Sequence, residues 1–134
     1  MTRRFCLSLS LLILITAALS PQARQAADPV GTWTGTWEGA GGTGGIEFVI
    51  EKNKDGALGG SVSVTGEPTY KATLKTVTVE GPKMTSTYDF PQDESIEITM
   101  VASIDGANAK GTWSARPKGG GDEVASGTWT AARK

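Results

Sequence analysis

From residue 30 onward, apolar and polar residues alternate with period two, and the alternation pauses at Gly, Asp, Asn or Pro every eight to twelve residues. Side chains on a strand point alternately to its two faces, so this period marks strands with one buried face. Short pauses rich in turn formers mark hairpins between antiparallel neighbours. No stretch of convincing length repeats with the helical period, so the chain is expected to form an all-β antiparallel meander.

Eight strands are expected. The first covers residues 30–38 and runs into "GAGGTGG", five glycines in seven residues, expected as a flexible turn. The second places Ile46, Phe48 and Ile50 on one face against Glu47 and Glu51, and Asn53-Lys54-Asp55-Gly56 then makes a hairpin turn. The third points Leu58, Gly60, Val62 and Val64 inward. The fourth starts with Tyr70, Ala72 and Leu74 inward, but Val77 and Val79 have the opposite parity, which a bulge near Thr76 would absorb. The fifth aligns Met84, Ser86, Tyr88 and Phe90, and the sixth Ile96, Ile98, Met100, Ala102 and Ile104. Residues 109–115 and 124–131 supply the last two. Eight consecutive antiparallel strands can close on themselves and so remove their exposed edges. The expected fold is an eight-stranded up-and-down β-barrel. The alternative is a β-sandwich, which needs longer crossing connections than this sequence provides.

Residues 1–26 carry Arg3 and Arg4 ahead of an apolar run and a small-residue exit, the pattern of a cleaved secretory signal. The run is shorter than the roughly 20 apolar residues of a spanning helix. The expected product is one β-barrel domain over residues 27–134, secreted or periplasmic, without a membrane span and monomeric. Cys6 is the chain's one cysteine and leaves with the signal, so the domain has neither disulfide nor thiolate. From residue 27 the chain has ten Lys and Arg against fourteen Asp and Glu, a net charge of −4 without a basic stripe. Nucleic acid is therefore not an expected partner.

All four tryptophans occur in one triplet: Gly31-Thr32-Trp33, Gly35-Thr36-Trp37, Gly111-Thr112-Trp113 and Gly127-Thr128-Trp129. Each Gly shares a face with the Trp two residues on and leaves space beside the indole. If the first strand pairs with the last, the indoles gather on one wall near that seam. They serve either as core, with Thr facing water, or as the aromatic wall of a ligand pocket. Trp33, Trp113 and Trp129 are expected to be shielded. On the second reading the candidate site is Trp33, Trp37, Tyr70, Tyr88, Trp113 and Trp129.

A Gly-x-Trp on the first strand of an eight-stranded meander resembles the calycins, the group of lipocalins, fatty-acid-binding proteins and avidins. Gly31-Thr32-Trp33 with Asp55-Gly56-Ala57-Leu58 on the next hairpin resembles the avidin branch over the first two hairpins. That resemblance implies the barrel. Biotin binding does not follow, because Gly35, Val62 and Val64 stand where avidins place polar ligand contacts. Taken whole, residues 27–134 are similar to small secreted bacterial β-barrel modules that open with "GTWTGTW" and close with "GTWTA", a similarity that implies fold and export but no activity.

Gly39-x-Gly41-x-x-Gly44 fits a dinucleotide fingerprint, but a strand follows where phosphate binding needs a helix N-terminus. Glu51, Asn53, Asp55 and Gly56 imitate the start of a calcium loop whose twelfth position is Val62 instead of Glu. The chain has no His, so the usual zinc, copper and haem sites and any Ser-His or Cys-His nucleophile pair are ruled out. No acidic residue falls on an expected inward position, so neither a catalytic carboxylate pair nor a cofactor is expected. No Arg or Lys is expected inside to hold an anion.

Two functional expectations remain. The first is a non-catalytic barrel that binds a small uncharged apolar or aromatic molecule, oriented by hydroxyls such as Tyr70, Ser86 and Tyr88. The second is a solid interaction or structural module that contacts a secreted protein or a wall polymer. Internal volume separates the two.

Overall fold

The computed structural model describes residues 27–134; the expected signal over residues 1–26, with Cys6, lies outside the described residues. Nine strands follow in chain order: β1 (Gly31–Gly39), β2 (Gly42–Lys52), β3 (Leu58–Val64), β4 (Tyr70–Thr73), β5 (Thr76–Glu80), β6 (Lys83–Asp89), β7 (Ile96–Asp105), β8 (Asn108–Pro117) and β9 (Ala125–Arg133). They form one antiparallel sheet in the order β4-β3-β2-β1-β9-β8-β7-β6-β5. The sheet is a meander that curls into a half-barrel with its apolar face inside. The first and last strands pair, as expected for a closing meander, in a register running from Trp33↔Arg133 to Gly39↔Gly127.

The strand count is nine where alternation gives eight, and the difference lies at Leu74 and Lys75. The Leu74 N–H donates to the Gly60 carbonyl on β3 at 2.9 Å, and the Lys75 N–H donates to the Thr87 carbonyl on β6 at 2.7 Å. Consecutive amides thus bind opposite edges of the sheet. The segment expected as one bulged strand ends as β4 against β3 and restarts as β5 against β6. The parity slip between buried Leu74 and buried Val77 is the sequence mark of this break.

The glycine-rich run is also more ordered than a flexible turn. β1 continues to Gly39 and β2 begins at Gly42, which leaves a two-residue turn of Ala40 and Gly41 with φ of 52° and 77°. Positive φ at both central residues is the type I′ geometry that suits the twist of a hairpin. Three glycines, one in this run and two on β8 and β9, stand opposite indoles. Trp37 faces Gly44 across the β1–β2 ladder, while Trp113 faces Gly127 and Trp129 faces Gly111 across β8–β9. A Cβ on Gly44 would stand 2.7 Å from the Trp37 Nε1, and one on Gly127 would stand 2.6 Å from the Trp113 Nε1. Trp37 and Trp113 thus occupy the side-chain space that their partner strands give up, whereas a Cβ on Gly111 would run into the backbone of Val101 and Ala102.

Every strand but the short β4 sends buried side chains inside, with Phe48, Val62, Met84, Ala102 and Trp129 among the least accessible residues. One end is closed by Trp33. The Arg133 guanidinium lies 4.4 Å from the centroid of its ring and donates to the carbonyls of Val30 and Asp28. This corrects the expectation of no inward cation: Arg133 has the inward parity of β9, but its charge covers an indole and its N–H groups go to backbone.

Candidate functional site

At the other end of the half-barrel, the β1–β2, β3–β4, β6–β7 and β8–β9 connections surround an open pocket of about 340 Å³. Volumes near 300 Å³ and above are typical of small-molecule sites. The sides are aromatic, and the floor is Ile46, Val64, Ile98, Met100 and Ala115, the ends of the inward rows of β2, β3, β7 and β8. Val124, 61% exposed, stands at the mouth beside Ala125.

Of the sequence-predicted residues, Trp37, Tyr70, Tyr88 and Trp113 line this pocket. Trp33 and Trp129 do not. Trp33 closes the far end, and Trp129 lies in the core against Phe48 with ring centroids 5.0 Å apart. The expected shielding holds for Trp33 and Trp129 but not for Trp113, which is half-buried at the pocket while Trp37 is only 7% exposed. Ser86 is wholly buried and outside the lining, and its hydroxyl has no protein hydrogen-bond partner among the described residues.

Trp37 and Trp113 meet edge to face, with centroids 6.2 Å apart and planes at 83°. Tyr70 and Phe90 form a second edge-to-face pair, 5.3 Å apart at 79°. The indole nitrogens fix the first pair: Trp37 Nε1 donates to the Thr65 carbonyl and Trp113 Nε1 to the Glu38 carbonyl, each at 3.1 Å. Trp33 and Trp129 likewise donate to Pro29 and Thr112. With every indole N–H committed to backbone, the tryptophans offer the pocket ring surface only.

The polar point inside is the tyrosine pair, whose hydroxyl oxygens are 2.7 Å apart. One hydroxyl donates to the other, which leaves one O–H and free lone pairs for a third partner. Burial pushes both phenols above their ordinary range, Tyr88 much further than Tyr70. Tyr70 is also pulled back by its bond to Tyr88, while Tyr88 is pushed further up by Tyr70's negative charge once ionised and by the shared bond. Both stay neutral at physiological pH.

Charge enters only at the rim, from Glu67 and Asp93, both exposed. The Ser95 hydroxyl and, after it, the Ser95 backbone N–H hold the Asp93 carboxyl below the ordinary range. No Lys or Arg lines the pocket among the described residues. The alternation missed these two acids because loops have no period, and it took Val124 into the last strand, which begins one residue later at Ala125. Phe90 had a signal: it continues the inward row of Ser86 and Tyr88.

These features define a half-barrel closed at one end and open, with aromatic walls, at the other. Compared with protein-family models, curated proteins and solved structures, the chain matches none of them.

Proposed function

We propose that this protein is a non-catalytic binding module, secreted or periplasmic, that holds a small molecule by an uncharged apolar or aromatic body in the pocket at the open end. The observation that carries this reading is the cavity of about 340 Å³, with Trp37, Trp113, Tyr70 and Phe90 as its walls. A ligand body entering it would bury apolar surface against rings already fixed by their own hydrogen bonds, so little ordering cost falls on the protein side. The Tyr70–Tyr88 pair would orient a single oxygen of the ligand. A solid interaction module leaves this cavity without use. Taken as one strand broken at Leu74, β4 and β5 would make the sheet an eight-stranded up-and-down barrel, and the Gly-x-Trp of its first strand supports a calycin-like reading.

The test is thermal denaturation and tryptophan emission with a panel of uncharged aromatic and short-chain alcohols. Binding to the folded state raises the melting temperature as ligand concentration rises. The reading expects such a rise together with a change in emission, and little effect from nucleotides or fatty acids. No shift of either signal across the panel would refute it in favour of the interaction module.

A further inference from the structure

The charge of the domain is concentrated at the pocket end. The four connections there carry Glu67, Asp93, Glu94, Asp122 and Glu123 against Lys118 alone. Lys118 is itself engaged, its ammonium 3.0 Å from an Asp89 carboxylate oxygen. Asp89 and Glu97 are further bridged by Lys75 at 2.8 and 2.6 Å, so this outer network of two cations and two anions is neutral and leaves the loop acids uncompensated. Outside the strands at the opposite end, Lys54 and Lys134 balance Asp28 and Asp55. The field is thus negative where the pocket opens.

The pocket walls favour the same sign. Aromatic faces carry the negative side of the ring quadrupole and attract a cation within about 6 Å, Trp most strongly. Trp37 and Trp113 stand at 83° to each other and have no free N–H to offer an anion.

We propose that the ligand is an organic monocation: an apolar or aromatic body inserted toward Ile98 and Met100, bearing an ammonium or quaternary ammonium head that stays at the mouth. The head sits among the rings of Trp37, Trp113 and Tyr70 and faces the carboxylates of Glu67 and Asp93. This rests on the proposed function, since it assigns the head group of a molecule whose body that reading places in the same pocket. Anions are rejected twice, by the rim charges and by the lack of a cationic side chain in the lining.

The test uses three probes sharing one benzyl or phenyl body, benzyltrimethylammonium, benzyl alcohol and benzoate, titrated calorimetrically at low and high salt. The expected order is the cation tightest, by about tenfold over the alcohol at low salt, and benzoate without measurable binding. High salt should narrow the gap between cation and alcohol by screening the rim. Glu67→Gln, alone and combined with Asp93→Asn, should weaken the cation toward the affinity of the alcohol and leave the alcohol unchanged. An alcohol that binds as tightly as the cation, or a cation whose affinity ignores both variants, overturns the charge assignment while the pocket reading survives. Failure of all three probes to bind overturns both.

Discussion

The hydroxyl of Tyr70 lies 2.7 Å from that of Tyr88, and this bond joins β4, at one edge of the sheet, to β6, next to the strand at the other edge. It spans the break at Leu74 and Lys75, which is also crossed by their backbone amides and by the Lys75 ammonium on Asp89. The two phenols are the chain's only tyrosines, so any phenolate signal reports on this pair.

Alkaline pH should therefore act on the fold through the pair. A free tyrosine ionises near pH 10, and both folded values lie above that. Above about pH 10 the unfolded chain has released protons that the folded chain still holds, so stability falls as pH rises. The ultraviolet absorbance of phenolate should stay low past that point and then rise together with the loss of sheet signal in circular dichroism. A separate, gradual titration near pH 10 in folded protein would contradict the buried pair.

Gly111→Ala and Gly127→Ala should each destabilise the protein by about 1–3 kcal/mol, the usual range for overpacking. The added methyls would meet the Val101 and Glu38 carbonyl oxygens at 1.6 and 1.9 Å. Gly59→Ala is the control, because nothing lies within 4 Å of its added Cβ. Denaturant melts that place all three variants together would show that the indole-facing glycines are not needed for close strand approach.

Ala40→Gly should stabilise the protein by about 0.5–1 kcal/mol. Ala40 sits at φ 52°, a left-handed conformation that disfavours a Cβ but not glycine. A denaturant midpoint at or below that of the parent would contradict the tight turn.

Trp33→Ala and Trp129→Ala should each cost about 3–5 kcal/mol, as deletion of a buried aromatic side chain does. Both are 2% exposed and neither lines the pocket. Trp113→Ala should cost less, because its ring is half-buried at the pocket, yet it should weaken ligand binding. Equal losses of stability at the three positions would remove the distinction between core and pocket indoles.

Alternation made the inward faces legible because burial on one side of a strand fixes residue type at every second position. Ile46, Phe48, Ile50, Ile98, Met100 and Ile104 are all buried as that rule requires. Where a strand ends is a different matter: Leu74 and Lys75 each make an ordinary backbone bond, and only the three-dimensional path shows that they bind opposite edges. Arg133 was illegible for another reason. Its parity is inward but its type reads as surface, and the conflict resolves only when Trp33 is found across the ladder, shielding the charge with a ring face. The triplets revealed the tryptophans without separating Trp37 and Trp113, at the pocket, from Trp33 and Trp129, because that depends on which end of the half-barrel is open.

The most direct test of the pocket is nuclear magnetic resonance of the four indole N–H groups during titration with benzyl alcohol. Each indole has its own backbone acceptor, so each resonance reports one position: Thr65 for Trp37, Glu38 for Trp113, Pro29 for Trp33 and Thr112 for Trp129. The expected result is saturable movement of the Trp37 and Trp113 signals while those of Trp33 and Trp129 stay fixed. Movement led by Trp33 or Trp129, or no movement of any of the four up to the solubility of the probe, would contradict binding at the open end.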